Sequence, residues 1–357
     1  MIEVPAAMIT AGTFASVASG ATASAAGVSG NVAGTFSFTY NGSASEPLNA
    51  GPYAVVATFT STNGNYENAT GTGTITINKA DADIDVKGGS YTFDGNAHGA
   101  SGTATSVTGQ DLSGLLNLGE TFTNVPGGIA NWTFPGDLNH NAKFGSVGIV
   151  VYKAAQTITV TTPPPANALY NTSFTVAAVG GGSGNPVTYG ASESCTVTGA
   201  MFTMTSGYGQ CTVTFSQLGN LNYKDAVPVV KTVNATAWQV GGFYSPVTPS
   251  TLVNPISNVV KGGSTVPLKF EIFAGVNGVE QTSLSAIKSI LLQPVNCVGG
   301  TALNVDPSQL DNTGGTTLRY DGSQYIQNWK TPTTAGCFAV SMQAADNTTI
   351  TAYFRVK

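Results

Sequence analysis

The sequence predicts an all-β protein in which small β-sandwich domains follow one another in tandem and form an elongated array. Three observations carry this. Short runs alternate apolar and polar residues at period two, as in 64–80 (GNYENATGTGTITINKA), where Ile75 and Ile77 interleave with Thr74, Thr76 and Asn78. That ending recurs at 139–154 (NHNAKFGSVGIVVYKA) and more loosely at 222–237 (NYKDAVPVVKTVNATA), and the step from Tyr66 to Ala80, His140 to Ala154 and Tyr223 to Ala237 is 14 residues each time. No stretch shows helical periodicity beyond a turn or two. Successive endings lie 74 and 83 positions apart, too far for a solenoid turn and suited to one small sandwich each.

Composition agrees. Charged residues make up 9% of the 357, against about 25% in ordinary globular chains. A disordered chain would be poor in aromatics, whereas this one has 13 Tyr, 16 Phe and 41% hydrophobic residues, enough to fold. The net charge of −5 and the lack of a basic stripe exclude nucleic acid as a partner. No run of about 18 apolar residues occurs, so no membrane span is expected. The N-terminus lacks a basic region and a sustained apolar core and carries Glu3, so it does not read as a signal peptide. Instead ITAGTFASVA (9–18) matches VKGGSYTFDG (86–95), and AAGVSG (25–30) matches ATSVTG (104–109). The opening therefore reads as the front half of a repeat, and Met1 is expected to be the start of a fragment.

Taken in order, the first unit (1–80) has strand runs at 35–40 (TFSFTY) and 53–60 (YAVVATFT), separated by the turn chemistry of Asn41-Gly42 and PLNAGP (47–52). The second (81–154) has runs at 90–94 and 129–134 (IANWTF), with Trp132 as a core plug. The third (155–237) opens QTITVTT and then meets three prolines, 163–165, which bound that strand. The last (238–357) is different in kind. Linkers such as 79–82 and 153–156 are very short, which restricts hinging.

Two families are resembled. Units one and two are similar to the bacterial Ig-like MBG repeats: a YDG-type front (Tyr91, Phe93, Asp94, Gly95), an AGxYxVxAxF middle (Ala50, Gly51, Tyr53, Val55, Ala57, Phe59) and an NY ending. Unit one departs at its front, where VASGAT replaces the Asp-Gly turn. Unit three resembles the related form that opens QTI, carries two cysteines and closes QxGNxNYxxA (Gln217, Gly219, Asn220, Asn222, Tyr223, Ala226). The last unit resembles the C-terminal PxKF domain of bacterial secreted proteins, through GGFYSPV (241–247), TVPLKF (265–270), LRYD (318–321), YIQNWKT (325–331) and TAYFRVK (351–357). These resemblances imply tandem Ig-like sandwiches on an exported protein and no enzymatic activity.

Four cysteines allow three pairings, and the unit division selects Cys195 with Cys211 and Cys297 with Cys337. An oxidising compartment follows. A zinc site has no CxxC pair and only His98 and His140 to draw on. Asp81, Asp83 and Asp85 share a strand face where calcium could bind, against the plainer reading of a solvated face. Lys269 in TVPLKF points away from Val266, Leu268 and Phe270. It reads as a solvated motif lysine rather than the partner of an isopeptide bond. His140 stands where the other endings have tyrosine and reads as a structural aromatic, and His98 after its turn as exposed. SAIK (285–288) lacks SDN or KTG partners, and GGGSGN (180–185) lacks a following helix and is a loop. The sequons at Asn41, Asn68, Asn131, Asn171, Asn234 and Asn347 are chance in an Asn-, Ser- and Thr-rich chain. Tyr244, Tyr320, Tyr325 and Trp329 are candidates for a glycan platform, weighed against core roles.

The expected function is a non-enzymatic extracellular stalk or spacer with adhesion as companion role, without cofactor, meeting a surface glycan or protein. Two rivals are a self-assembling fibre subunit that exchanges strands and a carbohydrate-binding accessory region of a secreted hydrolase. The chain end, FRVK, carries no wall-sorting motif.

Overall fold

The computed structural model describes residues 12–13, 20–28, 30–250, 256, 258–275 and 278–357. The front motif of the first repeat, 9–18, and its VASGAT segment fall largely outside them. Among the described residues every regular element is a β-strand apart from three single-turn 3₁₀ helices, so the protein is all-β, built of Ig-like sandwiches in tandem. The chain divides into two compact units, Met1–Ala154 with Leu221–Tyr223, and Ala155–Asn220 with Lys224–Lys357.

In the first unit, Gly34–Tyr40, Gly51–Ser61 and Ala69–Asn78 form an antiparallel sheet. In Gly51–Ser61 the alternation is complete: Val55, Ala57 and Phe59 are buried while Ala54, Val56 and Thr58 face solvent. The turn that joins the first two strands uses Asn41 at φ 45° and Gly42 at φ 82°, and the Asn41 Oδ1 accepts from the Ala54 amide at 2.8 Å. Val55 and Ile75 form a small core with Tyr40, whose hydroxyl accepts a hydrogen bond from the Ala21 amide at 2.8 Å. Next along the chain, Gly127–Phe134 pairs with Lys143–Tyr152. Asp83–Lys87 pairs with Ser101–Thr105. Their core is Ala82, Ala104, Leu112 and Phe134. Trp132 is only half-buried at its edge, so the core plug of this strand is Phe134.

In the second unit, Thr159–Thr162 stops at the three prolines as expected. Thr188–Glu193, Gln210–Ser216 and Val229–Thr236 form an antiparallel sheet over Phe202, Met204, Val213, Phe215 and the Cys195–Cys211 disulfide. Further on, Thr265–Phe273 pairs with Tyr325–Lys330, and Ile287–Val295, Gly336–Ala344 and Thr349–Val356 form a second sheet. Between them lies the largest core, with Leu268, Phe270, Trp329, Val340 and Phe354. Each fully buried aromatic there contributes roughly 1.5–3 kcal/mol relative to exposure. Cys297 is bonded to Cys337, so both expected pairings are formed.

Among the described residues one pairing recurs four times. An early short strand runs parallel to the last strand of its segment: Gly12–Thr13 with Ala69–Asn78, Gly89–Thr92 with Lys143–Tyr152, Asn167–Leu169 with Val229–Thr236, and Asn258–Val260 with Thr349–Val356. The intervening antiparallel strands supply the crossover that a parallel pair needs.

Candidate functional site

The recurring Asn-aromatic pair is a hydrogen-bonding tab. In 136–140 (GDLNH), Gly136 sits at φ 72°, where a Cβ would lie 2.5 Å from the His140 carbonyl oxygen. The turn is closed by Asp137, whose Oδ1 accepts from the amides of Asn139 (2.8 Å) and His140 (2.7 Å) and from His140 Nδ1 (2.8 Å). Burial works to raise the Asp137 pKa, but these donors outweigh it and hold the carboxyl below its usual value. With its proton on Nδ1, the buried His140 ring accepts at Nε2 from Ser106 Oγ at 3.1 Å.

So braced, Asn139 engages residues some 90 positions earlier. Its Oδ1 accepts from the Ala50 amide at 2.8 Å, and its Nδ2 donates to Asn49 Oδ1 at 3.0 Å. Its carbonyl accepts from the Ala80 amide at 2.9 Å, and the Asn141 amide returns a bond to the Ala80 carbonyl at 2.9 Å. Lys79 Nζ adds a bond to the Asp137 carbonyl at 2.5 Å. The same set recurs at Asn222 within the same unit: Oδ1 accepts from the Val125 amide at 3.0 Å, Nδ2 donates to Asn124 Oδ1 at 2.8 Å, and the carbonyl accepts from the Ala154 amide at 2.9 Å. Tyr223 beside it meets Phe93 edge-on at 5.4 Å.

In the second unit a carboxylate does this work. Asp346 is fully buried; its Oδ2 accepts from the Trp238 amide (2.6 Å) and Thr348 Oγ1 (2.7 Å), and its Oδ1 from the Thr348 amide (2.8 Å). Its carbonyl accepts from the Gly207 amide at 3.0 Å. A Cβ at Gly207 would lie 2.6 Å from the carboxylate, so this close approach requires glycine. Tyr208 donates to Thr348 Oγ1 at 3.2 Å, and Tyr170 stands edge-on to Trp238 at 5.0 Å.

The other candidates are dispersed. Asp85 pairs with Lys87 at 2.8 Å and Asp81 accepts from Asn141 Nδ2 at 2.8 Å, both at the surface. The described residues hold no group of three or more His, Cys, Asp or Glu side chains placed for a metal. The four-residue aromatic platform is corrected by burial: Tyr325 and Trp329 are 0% exposed and belong to the core. The Tyr325 ring packs against Phe270 and Tyr320, each at 5.3 Å, and offers no face to a sugar, while its hydroxyl is hydrogen-bonded to the carbonyls of Gln281 and Ser283. Tyr244 remains partly exposed, bonded to Glu271 at 2.5 Å, and Tyr320 is bonded to Glu280 at 2.9 Å. Burial first, then Glu271, pushes the Tyr244 phenol up to about 12. Tyr325 reaches about 12 through burial, Tyr320 and Glu280. His98 is not the exposed residue expected: it stacks on Tyr91 at 4.1 Å and bonds Asp94 at 3.0 Å. Lys269 is half-buried on the sheet face opposite Val266, Leu268 and Phe270.

Residues that sequence reading left without a role brace the glycine-rich loop. Gln217 Oε1 accepts from the Gly181 amide at 2.7 Å and its Nε2 donates to the Asn185 carbonyl at 2.8 Å. Gln156 Oε1 accepts from the Ser183 amide at 2.9 Å, while its Nε2 donates to the carbonyls of Leu218 and Lys224. Their signal was the recurrence of Gln in the QTI and QxGN motifs.

No helix among the described residues is long and apolar enough to cross a membrane. No curated protein matches the chain. Among solved structures, the human desmocollin-1 ectodomain is 8% identical, with 99% of this chain and 79% of that one covered at a TM-score of 0.29. A protocadherin gammaB7 cis-dimer structure is 9% identical over 100% and 99%, at 0.26. Extracellular domains 3–5 of Drosophila OTK are 10% identical over 86% and 92%, at 0.21. Likenesses this distant identify neither a partner nor an activity. The family comparison is more specific: residues 7–81 match the MBG domain family, and this stretch of the chain is an MBG domain.

Proposed function

We propose that the chain is a non-enzymatic extracellular spacer with an adhesive companion role, carried on an exported bacterial protein. In this reading 1–80, 81–154 and 155–237 are successive Ig-like repeats, the first containing the MBG domain, and 238–357 is a PxKF-type sandwich. The observation that carries it is the recurrence of the tab. Asn139 and Asn222 use the same amide and carbonyl groups on equivalent loops, Asn49-Ala50 and Asn124-Val125, and on equivalent alanines, Ala80 and Ala154. A repeated, directional set of bonds restricts rotation about a short linker, and a spacer needs that restriction. Two disulfides in one chain suit an oxidising compartment. Modules in series would bind a surface protein or glycan weakly and gain avidity by number.

Small-angle scattering with sedimentation at several concentrations tests the proposal. A monomeric rod supports it, and a compact particle overturns it. Mass that grows with concentration replaces it with the fibre-subunit reading, in which an open sheet edge accepts a neighbour's strand.

A further inference from the structure

We propose that Asn65 and Tyr66 form a third tab, folded in advance, that docks the loop end of another Ig-like repeat of the same kind joined directly ahead of the first. The turn shares its first bond with the one at Asn139 and closes on a backbone carbonyl instead of a carboxylate. The Asn65 amide donates to Asn63 Oδ1 at 3.1 Å, as the Asn139 amide donates to Asp137 Oδ1 at 2.8 Å. The Tyr66 amide closes the turn on the Asn63 carbonyl at 3.0 Å. The aromatic ring is seated in the equivalent place. By the match of AAGVSG (25–30) to ATSVTG (104–109), Gly27 stands where Ser106 stands. A Cβ at Gly27 would lie 2.8 Å from the Tyr66 ring, just as Ser106 meets His140. The larger ring is paired with the smaller residue.

The difference lies in the amide. Asn139 and Asn222 have both side-chain polar atoms engaged, whereas the exposed Asn65 side chain has no hydrogen-bond partner among the described residues. In both engaged tabs the partner is an Asn followed by a free-standing N–H on the repeat immediately preceding in sequence. The open tab therefore fits a loop with that same pair of groups, arriving from the N-terminal side. The two such loops in the described structure, 49–50 and 124–125, are already bonded to Asn139 and Asn222. The geometry does not depend on whether the array is adhesive.

The test extends the full chain with one more copy of 81–154, placed ahead of Val4 in place of residues 1–3, since residue 4 aligns with Asp81 in the repeat register. Asn65→Ala should leave the melting of the natural chain unchanged and lower the midpoint of the added repeat by about 4–8 °C in the extended chain. The Asn65 side-chain amide resonances should move on extension, and this readout needs no substitution. Resonances that stay in place, or a substitution silent in both chains, overturn the proposal. Destabilisation of the natural chain by Asn65→Ala would show the amide already engaged, and also overturns it. An extended chain that dimerises through Asn65 replaces in-line docking with association between molecules.

Discussion

The tab at Asn139 and the buried carboxylate at Asp346 meet the same need with different chemistry. Each accepts a backbone N–H at the end of one segment, Ala80 or Trp238, and each also binds a loop amide, Ala50 or Gly207. Asn139 is half-buried and neutral, so water can replace any bond it loses. Asp346 is 0% exposed, and three donors converge on its two carboxyl oxygens, so its polar atoms are satisfied without water. A junction near water can be made from an amide and repeated along the chain. One inside a core needs two acceptor oxygens, a glycine at the point of approach, and every partner in place.

That contrast sets the order of expected effects. Asp346→Ala should cost about 3 kcal/mol or more, because the Trp238 amide and both Thr348 donors lose their acceptor, at about 1–3 kcal/mol for each buried donor left unsatisfied. Urea unfolding followed by tryptophan fluorescence measures it. Asp346→Asn should fall between, since it keeps one acceptor oxygen and turns an NH₂ group toward donors. If Asp346→Ala costs no more than the surface tab, the distinction between the two junctions fails.

Next in size is a swap inside the tab. His140→Tyr enlarges a buried ring against Ser106 and should cost about 1–3 kcal/mol by overpacking. Adding Ser106→Gly recreates the pairing of Tyr66 with Gly27 and should recover most of the loss, a coupling of about 1–2 kcal/mol in a double-mutant cycle. Additive behaviour would mean that the two repeats do not share this seat. Asn139→Ala removes two side-chain bonds at a half-exposed site and should cost only about 1 kcal/mol, read from the melting of the full chain.

How much of this could be read from sequence depends on where each partner lies. Strands such as Gly51–Ser61 were legible because one face is buried and the other wet, so period two is written into the residues. The tab residues were visible as a recurring NH or NY, yet their bonds were not, since the Asn139 partners Asn49 and Ala50 are some 90 positions away with no local pattern to announce them. Tyr325 and Trp329 misled because Tyr325–Lys330 is covered on both sides: Tyr325, Ile326 and Gln327 are buried in succession, and alternation cannot separate faces. Trp132 misled by size. Phe134, two residues on, shares its face and takes the centre.

The smallest effect sharpens the comparison through acid. Asp137 closes the tab turn from a half-exposed position, with its pKa depressed by Asn139 and His140 against the opposing pull of burial. A carboxyl depressed in the folded state adds stability above its unfolded pKa of about 3.9, and that contribution is lost as pH falls through the lower folded value. Solvent screens the site, so the loss should be a small fraction of what Asp346→Ala costs. Asp137→Asn should remove the acid-dependent part while leaving stability at neutral pH only slightly reduced, because an amide oxygen can still accept from the Asn139 and His140 amides. Melting curves of the wild type and this variant between pH 5 and 2 should therefore converge as the pH falls, on the scale set by reference carboxylates. Curves that stay parallel would place the acid sensitivity elsewhere and leave the tab turn indifferent to its charge.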